Sequence, residues 1–142
     1  MHDAPGKSHE IPTMNILVID DDASLRRTVR LSLELLGHRA TEARDSTQAL
    51  ELLGRRSFDA ALLDLRLGEE LGLELLPRLL RLAPGLHVVV VTAFATIETA
   101  VEAMRRGAFD YLPKPFTPDQ LRHVLDRIQH LRRLQSHVDE LE

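Results

Sequence analysis

The residues of this chain best suited to chemistry are Asp20, Asp21, Asp22 and Asp64, together with Thr92 and Lys114. Three adjacent carboxylates repel one another unless a cation sits among them, so Asp20-Asp21-Asp22 points to Mg²⁺. Asp22 is equally suited to capping the helix that follows it. Asp64 ends the apolar run Ala60-Ala61-Leu62-Leu63 and is the candidate for the reacting group. Taken alone, such an Asp can simply close a strand or cap a turn. Thr92 ends the run His87-Val88-Val89-Val90-Val91, and Lys114 lies between two prolines, Pro113 and Pro115.

These residues need a frame that brings them together, and hydrophobic periodicity supplies one. Asn15 to Ile19 reads as a buried strand opening into the acidic cluster, and Leu25, Val29, Leu33 and Leu36 recur at helical spacing up to Gly37. Arg39 to Ala43 is a second strand, Asp45 or Ser46 caps a helix through Leu53, and Phe58 to Asp64 is a third strand with Phe58 in the core. Leu71 to Leu82 predicts a helix despite Pro77, which suits a helix start or a kink. His87 to Thr92 is a fourth strand, Thr96 to Arg106 a helix stopped by Gly107, and Phe109 to Leu112 a fifth strand. Thr117 and Gln120 form a capping-box pair around Pro118 at the start of the last helix.

Five alternating β-α units predict an α/β fold, a doubly wound parallel sheet with helices on both faces. In such a sheet, ligands bind at the carboxyl ends of the strands, and there the acidic cluster, Asp64, Thr92 and Lys114 all fall. The length suits one domain, expected over 14–130, after a flexible tail, 1–13, and before a helical linker, 131–142. A net charge of −4 argues against direct nucleic-acid contact. No apolar run is long enough for a membrane span, and the lack of cysteine and of a secretory signal pattern fits the cytoplasm.

Asp20-Asp21, Leu63-Asp64-Leu65, Val91-Thr92-Ala93 and Lys114-Pro115-Phe116 follow successive strands, and over Asn15 to Ile128 the chain resembles the receiver domain of two-component response regulators. The segment through Gly107-Ala108-Phe109-Asp110-Tyr111-Leu112-Pro113 is most similar to receivers of the nitrogen-regulation type, which precede a sigma-54-activating ATPase. Leu63-Asp64-Leu65-Arg66-Leu67-Gly68-Glu69 is similar to the branch that includes the alginate regulator AlgB. The resemblance implies a flavodoxin-like strand order 2-1-3-4-5 and a phosphorylation-operated switch without metabolic enzyme activity. It implies that Asp64 accepts a phosphoryl group from a sensor histidine kinase. Asp20, Asp21, Asp64 and the backbone carbonyl of Arg66 would hold Mg²⁺, and Thr92, Ala93 and Lys114 would bind the phosphoryl oxygens. Thr92 and Tyr111 would switch the face from Thr96 to Tyr111, and Lys114-Pro115 would be cis. ATPase and DNA-binding domains would carry the output, and they are absent from this chain.

The chemistry supports the same reading. A carboxylate is a weak nucleophile, but phosphoryl transfer depends mostly on positioning and charge neutralisation, which a divalent cation and a lysine can supply. The competing readings are an interaction module regulated without phosphate and a phosphohydrolase with an Asp nucleophile. The hydrolase would want an acid two residues after Asp64, where Arg66 stands. Gly68 replaces a common family proline and predicts a more mobile loop, while the bulk of Phe94 predicts slow hydrolysis of an acyl phosphate.

Val124, Leu131 and Val138, with Leu134 and Leu141, occupy two heptad positions in the last helix, interrupted by Arg127; they predict a homodimer through that helix, and the resemblance implies the Thr96 to Tyr111 face as a further or alternative interface. His123, His130 and His137 are spaced by seven residues, which puts them about 10 Å apart and excludes chelation along the helix.

Overall fold

The computed structural model describes residues 13–141, with side chains described through residue 135. The tail expected over 1–13 therefore lies almost wholly outside the described residues, as do the side chains of His137, Val138 and Leu141. In chain order the elements are β1 (Asn15–Ile19), α1 (Ala23–Leu35), β2 (Arg39–Ala43), α2 (Ser46–Arg55), β3 (Ala60–Leu63), β4 (Arg66–Leu67), β5 (Glu70–Leu71), α3 (Gly72–Leu82), β6 (His87–Thr92), α4 (Ile97–Arg105), β7 (Asp110–Pro113) and α5 (Pro118–Leu141).

β1, β3 and β6 are continuous apolar runs, so both their faces must be covered. They form the centre of a five-stranded parallel sheet of order β2-β1-β3-β6-β7. This is the expected 2-1-3-4-5 arrangement once the two-residue strands β4 and β5 are set aside. Alternation along each strand divides the core in two. Leu17, Ile19, Ala61, Leu63, Val88 and Val90 pack with Leu53, Leu76, Leu79 and Ala103 of α2, α3 and α4. On the other face, Ile16, Val18, Leu62, Val89 and Val91 pack with Val29 and Leu33 of α1 and with Leu121, Leu125 and Ile128 of α5.

Three local readings change. The third strand starts at Ala60 rather than Phe58, because Asp59 bends the chain: its N–H donates to the Asn15 carbonyl at 2.8 Å and its carboxylate accepts the Asn15 N–H at 2.7 Å. Phe58 is still buried. The fifth sheet strand is one residue later than expected, Asp110–Pro113. The loop expected after Asp64 contains a short antiparallel hairpin pairing Arg66 with Leu71 and Leu67 with Glu70. Its turn runs through Gly68, whose φ of +63° costs a glycine little.

Pro77 sits inside α3. Its missing N–H leaves the Leu73 carbonyl without its usual helical partner, and the Arg106 guanidinium fills that place at 2.8 Å while also binding Glu102 at 2.7 Å. A residue just past the end of α4 thus repairs the backbone of α3.

Two histidines give the fold an acid-sensitive side. His38 is buried and its Nδ1 accepts the Met14 N–H at 3.1 Å, while the Nδ1 of half-buried His87 has no hydrogen-bond partner among the described residues. Burial lowers the pKa of both below the ordinary value, against partial opposition from Asp126 and Asp59 at His38 and from Asp59 at His87. The unfolded chain therefore binds more protons as pH falls through the unfolded histidine value, and stability present above that value is lost. Urea denaturation from pH 7.5 to 5.5 is expected to show this loss, at most about 1.4 kcal/mol per pH unit for each group. His38→Gln is expected to flatten the slope.

Candidate functional site

At the carboxyl edge of the sheet, the strand ends deliver the polar residues within a short distance of one another. Lys114 Nζ donates to Asp20 Oδ2 and to Asp64 Oδ2, each at 2.8 Å, with all three side chains nearly buried. Burial pushes the Lys114 ammonium pKa down, and the hydrogen bonds it donates to Asp20 and Asp64, with their negative charge, more than reverse it, so the net shift is upward. The second oxygens are also held. Asp20 Oδ1 accepts the Asp22 N–H at 2.9 Å, and Asp64 Oδ1 accepts the Arg66 N–H at 3.0 Å. Arg26 fixes the Asp20 backbone, donating to its carbonyl at 2.8 Å while binding Glu42 of β2 at 2.8 Å.

The members of the acidic cluster divide their work. Asp22 caps α1, accepting the Leu25 N–H at 3.1 Å. Asp21 Oδ2 accepts the Gly68 N–H at 2.7 Å and so faces the β4–β5 hairpin. Thr92 is fully buried, and its Oγ1 accepts the Phe94 N–H at 3.1 Å. Its carbonyl accepts the Lys114 N–H at 2.8 Å, just before the cis Lys114–Pro115 peptide. Ala93 is exposed at the same edge. Half-exposed Phe94 lies under the Arg66 guanidinium, 3.8 Å from the ring centroid. Tyr111 packs half-buried against the core, its hydroxyl 2.7 Å from Thr99 Oγ1 near the start of α4.

The donor set fits a hard divalent cation. Two nearly buried carboxylates converge on one ammonium and a third, on exposed Asp21, lies on the neighbouring residue, leaving net negative charge among oxygen donors. Among the described residues no three His, Cys, Asp or Glu side chains close on one point by themselves. An ion here would therefore take further oxygens from water and from a backbone carbonyl, as Mg²⁺ commonly does.

The response regulator receiver domain model matches residues 16–126. The chain belongs to that family. This receiver is 44% identical over 127 residues to the alginate biosynthesis transcriptional regulatory protein AlgB of Pseudomonas aeruginosa, covering 89% of this chain and 28% of that protein. The crystal structure of NtrX from Brucella abortus is similar with a TM-score of 0.85 and 35% identity, over 92% of this chain and 30% of that one. A Burkholderia pseudomallei response regulator solved with a phosphorylated aspartic acid, calcium ion and citrate matches with a TM-score of 0.77 and 32% identity, over 89% of this chain and 74% of that one. The receiver thus spans less than a third of the AlgB and NtrX chains it resembles. Receivers are regulatory domains, and no helix among the described residues is long and apolar enough to cross a membrane.

Of the expected site residues, the structure joins Asp20, Asp64 and Lys114 directly and carries Asp21 to the adjoining hairpin. Thr92 lies at the same edge and Tyr111 two residues below it, paired with Val90, and each makes a separate hydrogen bond. Sequence reasoning missed Arg26, Gly68 and Glu70 as supports. The acid pair Glu69-Glu70 after Gly68 was the available signal, but which partner an exposed carboxylate finds depends on the packed fold.

Proposed function

We propose that this receiver takes a phosphoryl group on Asp64 from a sensor histidine kinase and uses it to control a transcription-activating output. The observation that carries the reading is the Lys114 ammonium shared between Asp20 and Asp64 at 2.8 Å. It places a cation against the carboxylate that must attack, at the edge where this fold binds ligands. An Asp64 carboxylate oxygen attacks phosphorus, the P–N bond of the donor phosphohistidine breaks, and the electron pair leaves on the imidazole nitrogen. Asp20, Asp21, Asp64 and the Arg66 carbonyl would hold Mg²⁺, which when bound supplies charge neutralisation. Lys114, the Thr92 hydroxyl and the Ala93 backbone would bind the phosphoryl oxygens.

Thr92 then donates its hydroxyl proton in a hydrogen bond to a phosphoryl oxygen, and Tyr111 leaves Thr99, altering the Thr96 to Tyr111 face. Through that face, or through α5, the chain would form a homodimer and pass the signal to ATPase and DNA-binding domains of the kind carried by AlgB-like regulators, in the cytoplasm and without touching nucleic acid itself. Incubation with acetyl phosphate and Mg²⁺ is expected to add one phosphoryl mass to the intact chain and none to Asp64→Asn. An unmodified wild-type chain would favour an interaction module that works without phosphate.

The Arg66–Phe94 stack would stand in the path of water to the acyl phosphate. Phe94→Ala is expected to shorten the phosphoryl half-life, followed by intact mass after removal of the donor. An unchanged half-life would assign the stack no shielding role.

A further inference from the structure

We propose that Glu70 is a positioning residue for the divalent-cation pocket. It holds the β4–β5 hairpin on the N-terminus of α2 and thereby fixes the two hairpin groups that hold the carboxylates of that pocket, the Gly68 amide on Asp21 and the Arg66 amide on Asp64. The inference rests on the cation site proposed above and adds a residue outside its donor set.

Two strands of two residues each do not form a stable hairpin by themselves. This one is attached at its turn, along one strand and at its exit. At the turn the Gly68 N–H donates to Asp21 Oδ2 at 2.7 Å. At the exit the Gly72 N–H donates to the Leu65 carbonyl at 2.7 Å. Along β5, Glu70 reaches away from the pocket: Oε2 accepts the Ser46 hydroxyl at 2.5 Å, and Oε1 lies 3.4 Å from the Ser46 backbone N–H that donates to it.

Ser46 is the first residue of α2, where backbone N–H groups lack helical acceptors and the helix dipole favours a carboxylate. Ser46 is itself buried, so the anchor point is fixed in the core. The direction of the Asp21 carboxylate follows from the Gly68 amide, and the place of that amide follows from the hairpin. Glu70 thus acts on a cation through two intervening contacts, in the way outer partners orient metal ligands elsewhere.

The test uses Mn²⁺ as probe, with affinity measured by calorimetry and Gly68 followed by amide exchange in ¹H–¹⁵N spectra. Glu70→Ala and Ser46→Ala are each expected to weaken Mn²⁺ binding about tenfold and to speed exchange of the Gly68 amide. Glu70→Gln, which keeps an acceptor for the Ser46 hydroxyl, is expected to retain most of the affinity. A lowered melting temperature in Glu70→Ala with unchanged Mn²⁺ affinity would show a purely structural role and overturn the proposal. Should that variant fail to fold, Ser46→Ala removes the same hydrogen bond from the other side and decides the question by the same affinity. Mn²⁺ binding that is lost in Asp20→Asn but unchanged in Ser46→Ala sinks the Glu70 role alone. Absence of binding by the unsubstituted chain sinks the cation site as well.

Discussion

Lys114→Met is expected to slow phosphorylation of Asp64 by acetyl phosphate about 100-fold, because it removes the donor aimed at the atoms where charge builds up. It is also expected to lower stability by about 3 kcal/mol, since breaking a nearly buried ion pair leaves charge without compensation. Here two carboxylates, Asp20 and Asp64, would face each other after losing a shared partner at 2.8 Å. Mg²⁺ is expected to restore part of that stability by binding the folded state, so denaturation with urea should be compared in chelator and in excess Mg²⁺. Equal midpoints for the two proteins in chelator would show that the Lys114 contacts are not what holds the pocket. The pH behaviour gives a separate check. The Lys114 pKa is raised in the folded chain, so its contribution is complete below the unfolded lysine value and is lost only as pH rises through the folded one. The acid sensitivity expected below pH 7 belongs to His38 and His87 and should survive the substitution.

Gly72→Ala is expected to cost about 3 kcal/mol or more, although it adds a single methyl group. A Cβ at Gly72 would meet the Asp64 carbonyl oxygen and lie 2.8 Å from Leu65 Cα. Both neighbours are backbone, so relief requires moving the segment that carries Asp64. The same displacement is expected to cut the phosphorylation rate even in molecules that remain folded. Gly54→Ala is the control. Nothing lies within 4 Å of a Cβ there, and its place inside α2 predicts a gain of about 0.5–1 kcal/mol. Urea midpoints moving in opposite directions in the two variants are the expected result; a Gly72→Ala protein as stable as wild type would mean that the Asp64 segment yields easily.

The fold was legible because strands such as Val88-Val89-Val90-Val91 and helices with leucine at helical spacing leave few ways to bury their apolar faces. The polar edge was legible for a related reason: Asp20, Asp64 and Thr92 each come at or just after the end of an apolar run, and the topology of a doubly wound sheet then brings such ends together. What could not be read were contacts between elements remote in sequence. Arg106 on the Leu73 carbonyl, Arg26 between Asp20 and Glu42, and Glu70 on Ser46 each start from an exposed or half-buried polar side chain, for which sequence spacing sets no register. The β4–β5 hairpin escaped for another reason. Gly68 was read as loss of a rigid proline, whereas its positive φ makes a tight turn possible and brings its amide to Asp21.

α5 runs unbroken from Pro118 to Leu141, about 36 Å, with Val124 and Ile128 gripped by the core and Leu131 and Leu134 exposed farther along. Arg132, one residue past Leu131, still pairs with Asp59 at 2.9 Å, so the receiver holds the helix beyond its midpoint. One residue inserted beyond Leu134 would turn every later position by about 100° while advancing it only about 1.5 Å. The direction in which its exposed side chains face is therefore set by angular phase more than by reach.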